Sequence, residues 1–573
     1  AWVTLGLSVA VVGLLFALVP AGESDAFPEG GLPDTSESAR VSTLLDGFPS
    51  ADATAGILVW ERADGDALTD DDIAAVGERA SALADVSTAP RAVRPQVSDD
   101  GLAALAVVPL DAAEVEEDRA GTAAELRDLA GADLPRGLEA RLTGPVGFQD
   151  DVSNAFAGAD LRLLLVTVAV VAMLLIVTYR SPVLWVVPLA VVGTADGLAR
   201  VVVTALADAV GVTIDASIGG ILSVLVFGAG TNYALLLVAR YREELLVQED
   251  RHSAMATAVR RAGPAIAASG GTVALSLLTL LVASLGGNRA LGFACAIGVV
   301  IAVVFALVVL PAALVACGRG LFWPFVPRAG QRARAGDRPG FWTRLGRGVE
   351  RRPATVAVAA LGGIGVLLLG LGGYSVGLSQ TDQFLGTPDS VVAQETIDES
   401  FSAGLTSETT VLVADGAVDE AVALVEDVGG VDTVSPGESH DGLTALTVTL
   451  DAEPESAEAF ATIRALRAEF TEASGDLSGA LVGGSDATAL DTNDAAARDL
   501  AVIAPIILAI VFVILALLLR SLVAPVLLIA SVLATFFASL GAGNWIFLTV
   551  LGFPAFDANV TLYAFLFLVA LGV

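Results

Sequence analysis

The side chains that could do chemistry in an apolar setting fall at two places in this sequence. Asp196 and Arg200 interrupt the apolar run GTADGLARVVVTAL, one helical turn apart. An ionisable group in a membrane helix costs about 2.5–3.5 kcal/mol on insertion scales, which makes Asp196 a candidate proton acceptor with Arg200 as its partner. The plainer reading is an i,i+4 pair whose members neutralise each other and tolerate burial. The second place is FGAGTNYALLLVARYREEL, Phe227–Leu245, where Asn232 and Tyr233 stand near the middle of an apolar run. Gly228, Ala229 and Gly230 just before them leave room for a neighbouring helix. Asn232 can hydrogen-bond through its amide but cannot take up and release a proton. A carboxyl in a tenth span is its expected partner. At the end of the sequence, GAGT (Gly228–Thr231) aligns with ALGV (Ala570–Val573), which makes Gly572 a packing glycine equivalent to Gly230.

Such groups need a membrane scaffold to hold them. Apolar residues make up 55% of the 573, and ten runs approach or exceed the ~18–20 residues that cross ~30 Å of hydrocarbon. They are Trp2–Val19, Leu161–Tyr179, Val183–Leu206, Ile218–Val238, Ala265–Leu285, Ala290–Val315, Ala354–Leu371, Leu500–Leu519, Val523–Leu540 and Leu562–Val573, the last too short to span. Asp160-Leu161 and Arg180-Ser181 recur as Asp499-Leu500 and Arg520-Ser521, an offset of about 340 residues. That offset is far longer than a solenoid period and suits the parallel half-repeats of transporters. The expected fold is a polytopic α-helical membrane protein with an internal two-fold pseudo-repeat. Its expected segments are a first transmembrane helix at 1–19, a porter subdomain at 20–159, helices two to six at 160–317, a loop with an interfacial elbow at 318–353, helix seven at 354–372, a second porter subdomain at 373–499, and helices eight to ten at 500–573.

Arg240–Arg261, the Arg319–Arg352 loop, Arg180 and Arg520 share one side if the spans alternate, and that side is expected to be the cytoplasm. The two acidic stretches then lie outside. Each reads as an α+β unit of the split βαβ, ferredoxin-like kind. In the first, Gly56–Trp60 is strand-like, a helix starts after Thr69, and Leu105–Leu110 and Ala140–Gly144 follow. In the second, Thr410–Ala414, helix Val418–Glu426, Ala445–Leu450, helix Ser456–Phe470 and Gly479–Gly484 repeat that order. Phe322, Trp323 and Phe325 suit the headgroup zone.

The net charge of −33 argues against nucleic acid as a partner, because phosphate binding needs a basic surface. The chain has no lysine, so it lacks the Walker pattern, and ATP hydrolysis and enzyme activity in general are not expected. His252 and His440 are too far apart to suggest a metal site. Cys295 and Cys317 read as two buried structural thiols.

GAGTNYALLLVARYREEL resembles the fourth-span motif of MmpL-type transporters of the resistance-nodulation-division superfamily. YRSP (Tyr179–Pro182), LFWPFVPR (Leu321–Arg328), GLSQTDQFLGTPDS (Gly377–Ser390), LLLRSLVAPVLL (Leu517–Leu528) and FLFLVALGV (Phe565–Val573) extend the resemblance over the whole chain. It implies twelve spans, two periplasmic porter subdomains, and export of lipids or other hydrophobic molecules driven by the proton gradient, with no other cofactor. On that pattern two spans and an Asp-Tyr pair are expected beyond Val573, and Asn232 stands where the family usually has aspartate. Membrane lipids and a hydrophobic or lipid substrate are the implied partners, with a homo-oligomer or an accessory protein left open. The implied location is the cell membrane. Drug or small-molecule efflux, and a scaffold that has lost proton coupling, are the alternatives.

Overall fold

The computed structural model describes residues 31–156, 159–179, 181–210, 214, 216–327, 341–378, 384, 386–401 and 409–571, with isolated positions between 2 and 14. Two compact units emerge. A helical unit comprises Ala1–Gly31, Gly158–Gly377 and Ala496–Val573, and a sheet unit comprises Leu32–Ala157 and Leu378–Ala495.

The sheet unit begins with α1 (Glu37–Leu45), followed by β1 (Ala53–Arg62), α2 (Asp70–Ala84), β2 (Gln96–Val97), β3 (Ala103–Asp111), α3 (Arg119–Gly131), β4 (Leu138–Thr143) and α4 (Gly144–Phe156). The order across the sheet is β2-β3-β1-β4, with every neighbouring pair antiparallel. Thr69 starts α2 as a capping box. Its hydroxyl accepts from the Asp72 N–H at 3.2 Å, and its own N–H donates to Asp72 Oδ2 at 2.9 Å. Arg62 Nη1 adds a contact to the same oxygen at 3.0 Å.

The helical unit then runs through α5 (Ala159–Tyr179), α6 (Val186–Val210), α7 (Ala216–Leu245), α8 (Arg251–Leu278) and α9 (Gly286–Val304), which continues through a π-turn to Cys317. Next come α10 (Phe341–Arg351) and α11 (Pro353–Leu368). α7 is the hub and packs against α5, α6, α8 and α9. Glycines set the closeness of these crossings. A Cβ on Gly298 of α9 would stand 2.5 Å from Leu222 Cδ1, so the two helices approach more closely than any larger residue allows.

The chain returns to the sheet unit with α12 (Asp389–Ser400), β5 (Thr409–Ala414), α13 (Val418–Glu426), β6 (Val431–His440), β7 (Leu443–Leu450), α14 (Ala457–Glu472) and β8 (Leu481–Gly484). The order is β6-β7-β5-β8, again antiparallel throughout. Strand residues point alternately to the two faces of a sheet. Here both faces are apolar, so each sheet must be covered twice. In β1, Leu58 and Trp60 face the core under α2 and α3, while Val59 on the other face packs with Ala393 and Ile397 of α12. In β5, Val411 and Val413 face the core under α13 and α14, while Leu412 packs with Val41 of α1 and Phe48. Each sheet therefore takes its second cover from the other half of the chain. Polar contacts fix the exchange. Ser38 Oγ donates to Asp491 Oδ2 at 2.6 Å, and Glu37 Oε1 accepts from the Val482 N–H at 2.7 Å. Thr396 Oγ1 donates to Glu61 Oε2 at 2.8 Å.

Three helices close the chain: α15 (Ser485–Leu519), α16 (Val523–Asn544) and α17 (Val560–Leu571). Seven helices among the described residues are long and apolar enough to cross a membrane, including those built on α6 to α9, α11, α15 and α16. The expected first span lies largely outside the described residues. The LFWPFV elbow is reshaped. Trp323 and Phe325 are exposed, but Phe322 is buried with its ring 6.1 Å from that of Tyr241. Cys295 is buried as expected and Cys317 is exposed, because the helix that carries it ends there.

Two predictions follow the packing. Burial works against the charge on Asp72, but Thr69 and Arg62 outweigh it and hold the carboxyl below its ordinary 3.8. That contribution is present above the ordinary value and is lost as pH falls through the depressed one. Asp72→Ala should cost about 2 kcal/mol of sheet-unit stability at neutral pH, with a smaller difference from the parent in acid, as thermal melts at both pH values would read. The second concerns α11 and α16, where a Cβ on Gly541 would lie within van der Waals overlap of the Leu367 carbonyl oxygen. Gly541→Ala should destabilise that crossing by about 1–3 kcal/mol, whereas Gly543→Ala, which meets only Phe547 at 3.8 Å, should leave the detergent melt unchanged.

Candidate functional site

Asp196 lies ten residues into α6, about 15 Å along its axis at 1.5 Å per residue. It is 6% exposed. Ser223 of α7 donates its hydroxyl to Asp196 Oδ1 at 2.6 Å and accepts from Arg200 Nε at 3.0 Å. Arg200 Nε stands 3.6 Å from Asp196 Oδ2. The three side chains close a ring, with the serine as bridge between carboxylate and guanidinium. A proton added to Asp196 would remove the negative charge that faces Arg200 Nε and turn one carboxylate oxygen into a donor. Ser223 would then have to reorient. The ring ties α6 to α7 through one hydroxyl.

The glycine layer sits next to this ring. A Cβ on Gly230 would lie 3.0 Å from Cγ2 of Val192, one turn before Asp196 on α6. Gly228 differs, because it is exposed and a Cβ there would meet nothing within 4 Å. Gly572 lies outside the described residues.

Asn232 and Tyr233 point apart. Asn232 is exposed on the same stripe as Val224, Gly228 and Leu236, and it has no hydrogen-bond partner among the described residues. α17, which forms the described part of the expected tenth span, carries no acid, so the partner carboxyl expected for Asn232 is not supplied by these residues. Tyr233 is fully buried against α8, where a Cβ on Gly270 would stand 3.4 Å from its hydroxyl. That hydroxyl makes no hydrogen bond among the described residues, and Ser269 stands beside it without reaching hydrogen-bond geometry. Asn232-Tyr233 and Asp196-Arg200 are thus two separate places. Ser223 and Asn232 are nine residues apart on α7, about 13 Å along its axis.

Ser223 is the member of the ring that sequence reasoning misses, since a lone serine in an apolar helix carries no signal. A second missed cluster closes the Arg240 end of α7. Buried Glu244 accepts from Arg261 Nη1 and Arg240 Nη2, each at 2.9 Å, and from Gln248 Nε2 at 3.1 Å. At the start of α8, the exposed Asp250 caps the helix, and the Ser253 N–H and hydroxyl hold its carboxyl at about 2. Among the described residues, no three His, Cys, Asp or Glu side chains gather in a way that could hold a metal ion.

The MMPL family model matches residues 31–356 and 386–573. The membrane protein ActII-3 of Streptomyces coelicolor (strain ATCC BAA-471 / A3(2) / M145) is 41% identical across the whole chain, which spans 80% of that protein. An apo-petrobactin exporter of Bacillus anthracis is 32% identical, again across the whole chain and over 83% of its own length. The transport protein MmpL10 of Mycobacterium leprae (strain TN) is 28% identical over half of this chain and 28% of its own length. These likenesses join a bundle of membrane-length helices to a relative named as a membrane protein and two named as an exporter and a transport protein, and the chain belongs to the MMPL family.

Proposed function

We propose that this chain is a secondary transporter that exports hydrophobic or amphiphilic molecules, lipids among them, at the expense of the proton gradient across the cell membrane. The observation that carries the reading is Asp196, a buried carboxylate midway along a membrane-length helix, tied across to a second helix through one hydroxyl. One charge crossing 100 mV releases about 2.3 kcal/mol, comparable with the worth of one or two charge-assisted hydrogen bonds. Proton uptake by Asp196 is thus able to change which arrangement of α6 and α7 is favoured. In this reading the basic loops face the cytoplasm and the sheet unit lies outside. Its two sheets, with their common strand order, act as split βαβ porter subdomains of two related halves.

Small-molecule efflux is the second reading. A relative alignable across the whole chain is named for apo-petrobactin export, and a small cargo places the same demand on proton coupling. The loss-of-coupling scaffold rests on Asn232 alone, and Asp196 offers a carboxylate that Asn232 does not.

Proteoliposomes holding the full chain, with a pH gradient imposed, would separate these. The probes are a fluorescent-tailed phospholipid for lipid export and ethidium for drug-like efflux. Gradient-dependent movement of either by the parent is expected, with collapse by a protonophore. Asp196→Asn should reduce it to the protein-free rate. Ser223→Ala should slow it about tenfold, the worth of roughly one buried hydrogen bond. Unchanged transport by Asp196→Asn at equal incorporation contradicts the assignment of the carboxylate, and movement that survives the protonophore contradicts proton coupling.

A further inference from the structure

Asp499 is a buried, heavily bonded acid of the helical unit, and transport as proposed assigns it no task. Its side chain is fully buried. Oδ1 accepts from the Ser284 N–H at 2.6 Å, and Oδ2 accepts from the Leu285 N–H at 3.3 Å and from Asn288 Nδ2 at 3.1 Å. Arg498 Nη1 stands 3.7 Å away and also bonds Ser284 Oγ. These donors are the two amides just before α9 and a side chain of its first turn, and the helix's own N-cap residue, Leu285, has no capping side chain. Asp499 of α15 therefore caps α9 from another helix, and the Gly31 carbonyl takes the next amide, that of Gly286, at 2.6 Å.

The cap does not stop at α9. Asn288, 1% exposed, accepts from the Tyr563 hydroxyl at 2.8 Å through Oδ1 and gives Nδ2 to Asn559 Oδ1 at 3.3 Å. Tyr563 is in the first turn of α17 and Asn559 immediately precedes it. One carboxylate thus holds three helices together through one carboxamide. α15 itself is continuous from Ser485, in the sheet unit, through Ala496, where the helical unit begins. A carboxylate held by several N–H donors that are fixed to the chain is suited to hold position.

We infer that Asp499 is a positioning residue for transport: a joint at which movement of α15 is passed, through Asn288, to α9 and to the start of α17. The role rests on the transport reading above, whereas the mechanical link does not. Amide hydrogen exchange of the full chain in nanodiscs tests the link, and gradient-driven movement of the fluorescent phospholipid and of ethidium in proteoliposomes tests the role. Asp499→Asn places a donor against the amides it should accept from. It should speed exchange at 284–288 and, at least tenfold, at 560–566. Tyr563→Phe removes the hydroxyl that bonds Asn288 and leaves the Asp499 contacts in place, so it should speed 560–566 and leave 284–288 as in the parent. Both variants should lower maximal transport at least tenfold with an unchanged half-saturating probe concentration, compared at equal amounts of folded protein, because loss of folded protein alone also lowers the maximum. If Asp499→Asn folds poorly, Tyr563→Phe and Asn288→Ala carry the same test. Exchange at 560–566 equal to the parent in these variants overturns the joint. Normal maximal transport with faster exchange overturns the role while the link stands. A parent that moves neither probe defeats the transport reading and the role with it, leaving exchange to decide the link.

Discussion

Inside an apolar bundle, a polar group has no water to fall back on, so each must find its partner within the protein. That constraint organises the helical unit. The Tyr179 hydroxyl reaches the Leu235 carbonyl at 2.7 Å, joining α5 to α7. Asn544 donates to the Gly370 carbonyl at 2.7 Å where α11 and α16 nearly touch. Asp196 is satisfied by Ser223 and Arg200, and Asp499 by the start of α9. Each of these four residues has at least one partner on a different element, and so ties two parts of the unit together. Exceptions among the described residues include the hydroxyls of Tyr233, Tyr241 and Ser276 and the Asn544 carboxamide oxygen, each buried without a hydrogen bond.

The two acids divide the work by the number and kind of their donors. Asp499 accepts two backbone amides and a carboxamide, all fixed by the chain itself. Asp196 accepts from the rotatable Ser223 hydroxyl and faces Arg200, which is itself part-exposed. The first arrangement suits an anchor. The second leaves a carboxylate whose partners can turn when its charge changes. The sheet unit meets a different constraint. Two sheets apolar on both faces need four covers, and α1 and α12 supply the outer two by exchange between the halves of the chain.

Much of this organisation is legible in the sequence. The strands around Leu58 and Leu412, the capped helix after Thr69 and the helix Val418–Glu426 stand where period and capping chemistry put them. The helices α1 and α12 are not legible as covers. Both are short, and what holds each is a sheet several hundred residues away in the chain, which no local pattern reveals. Asp499 is conspicuous as the acid at the head of an apolar run, but its partners, Ser284 to Asn288 and Tyr563, are ordinary residues until the fold gathers them. Phe322 shows the same limit in reverse. Its neighbours Trp323 and Phe325 are exposed, and only packing against Tyr241 distinguishes it from them.

The account turns on one carboxyl group gaining and losing a proton within the bundle. Infrared difference spectroscopy of the reconstituted protein during an acid jump reads that event directly through the stretching band of a protonated carboxyl. The account predicts a band that appears on acidification in the parent and is missing from the Asp196→Asn variant. A parent and variant with identical difference spectra across the physiological pH range would contradict it.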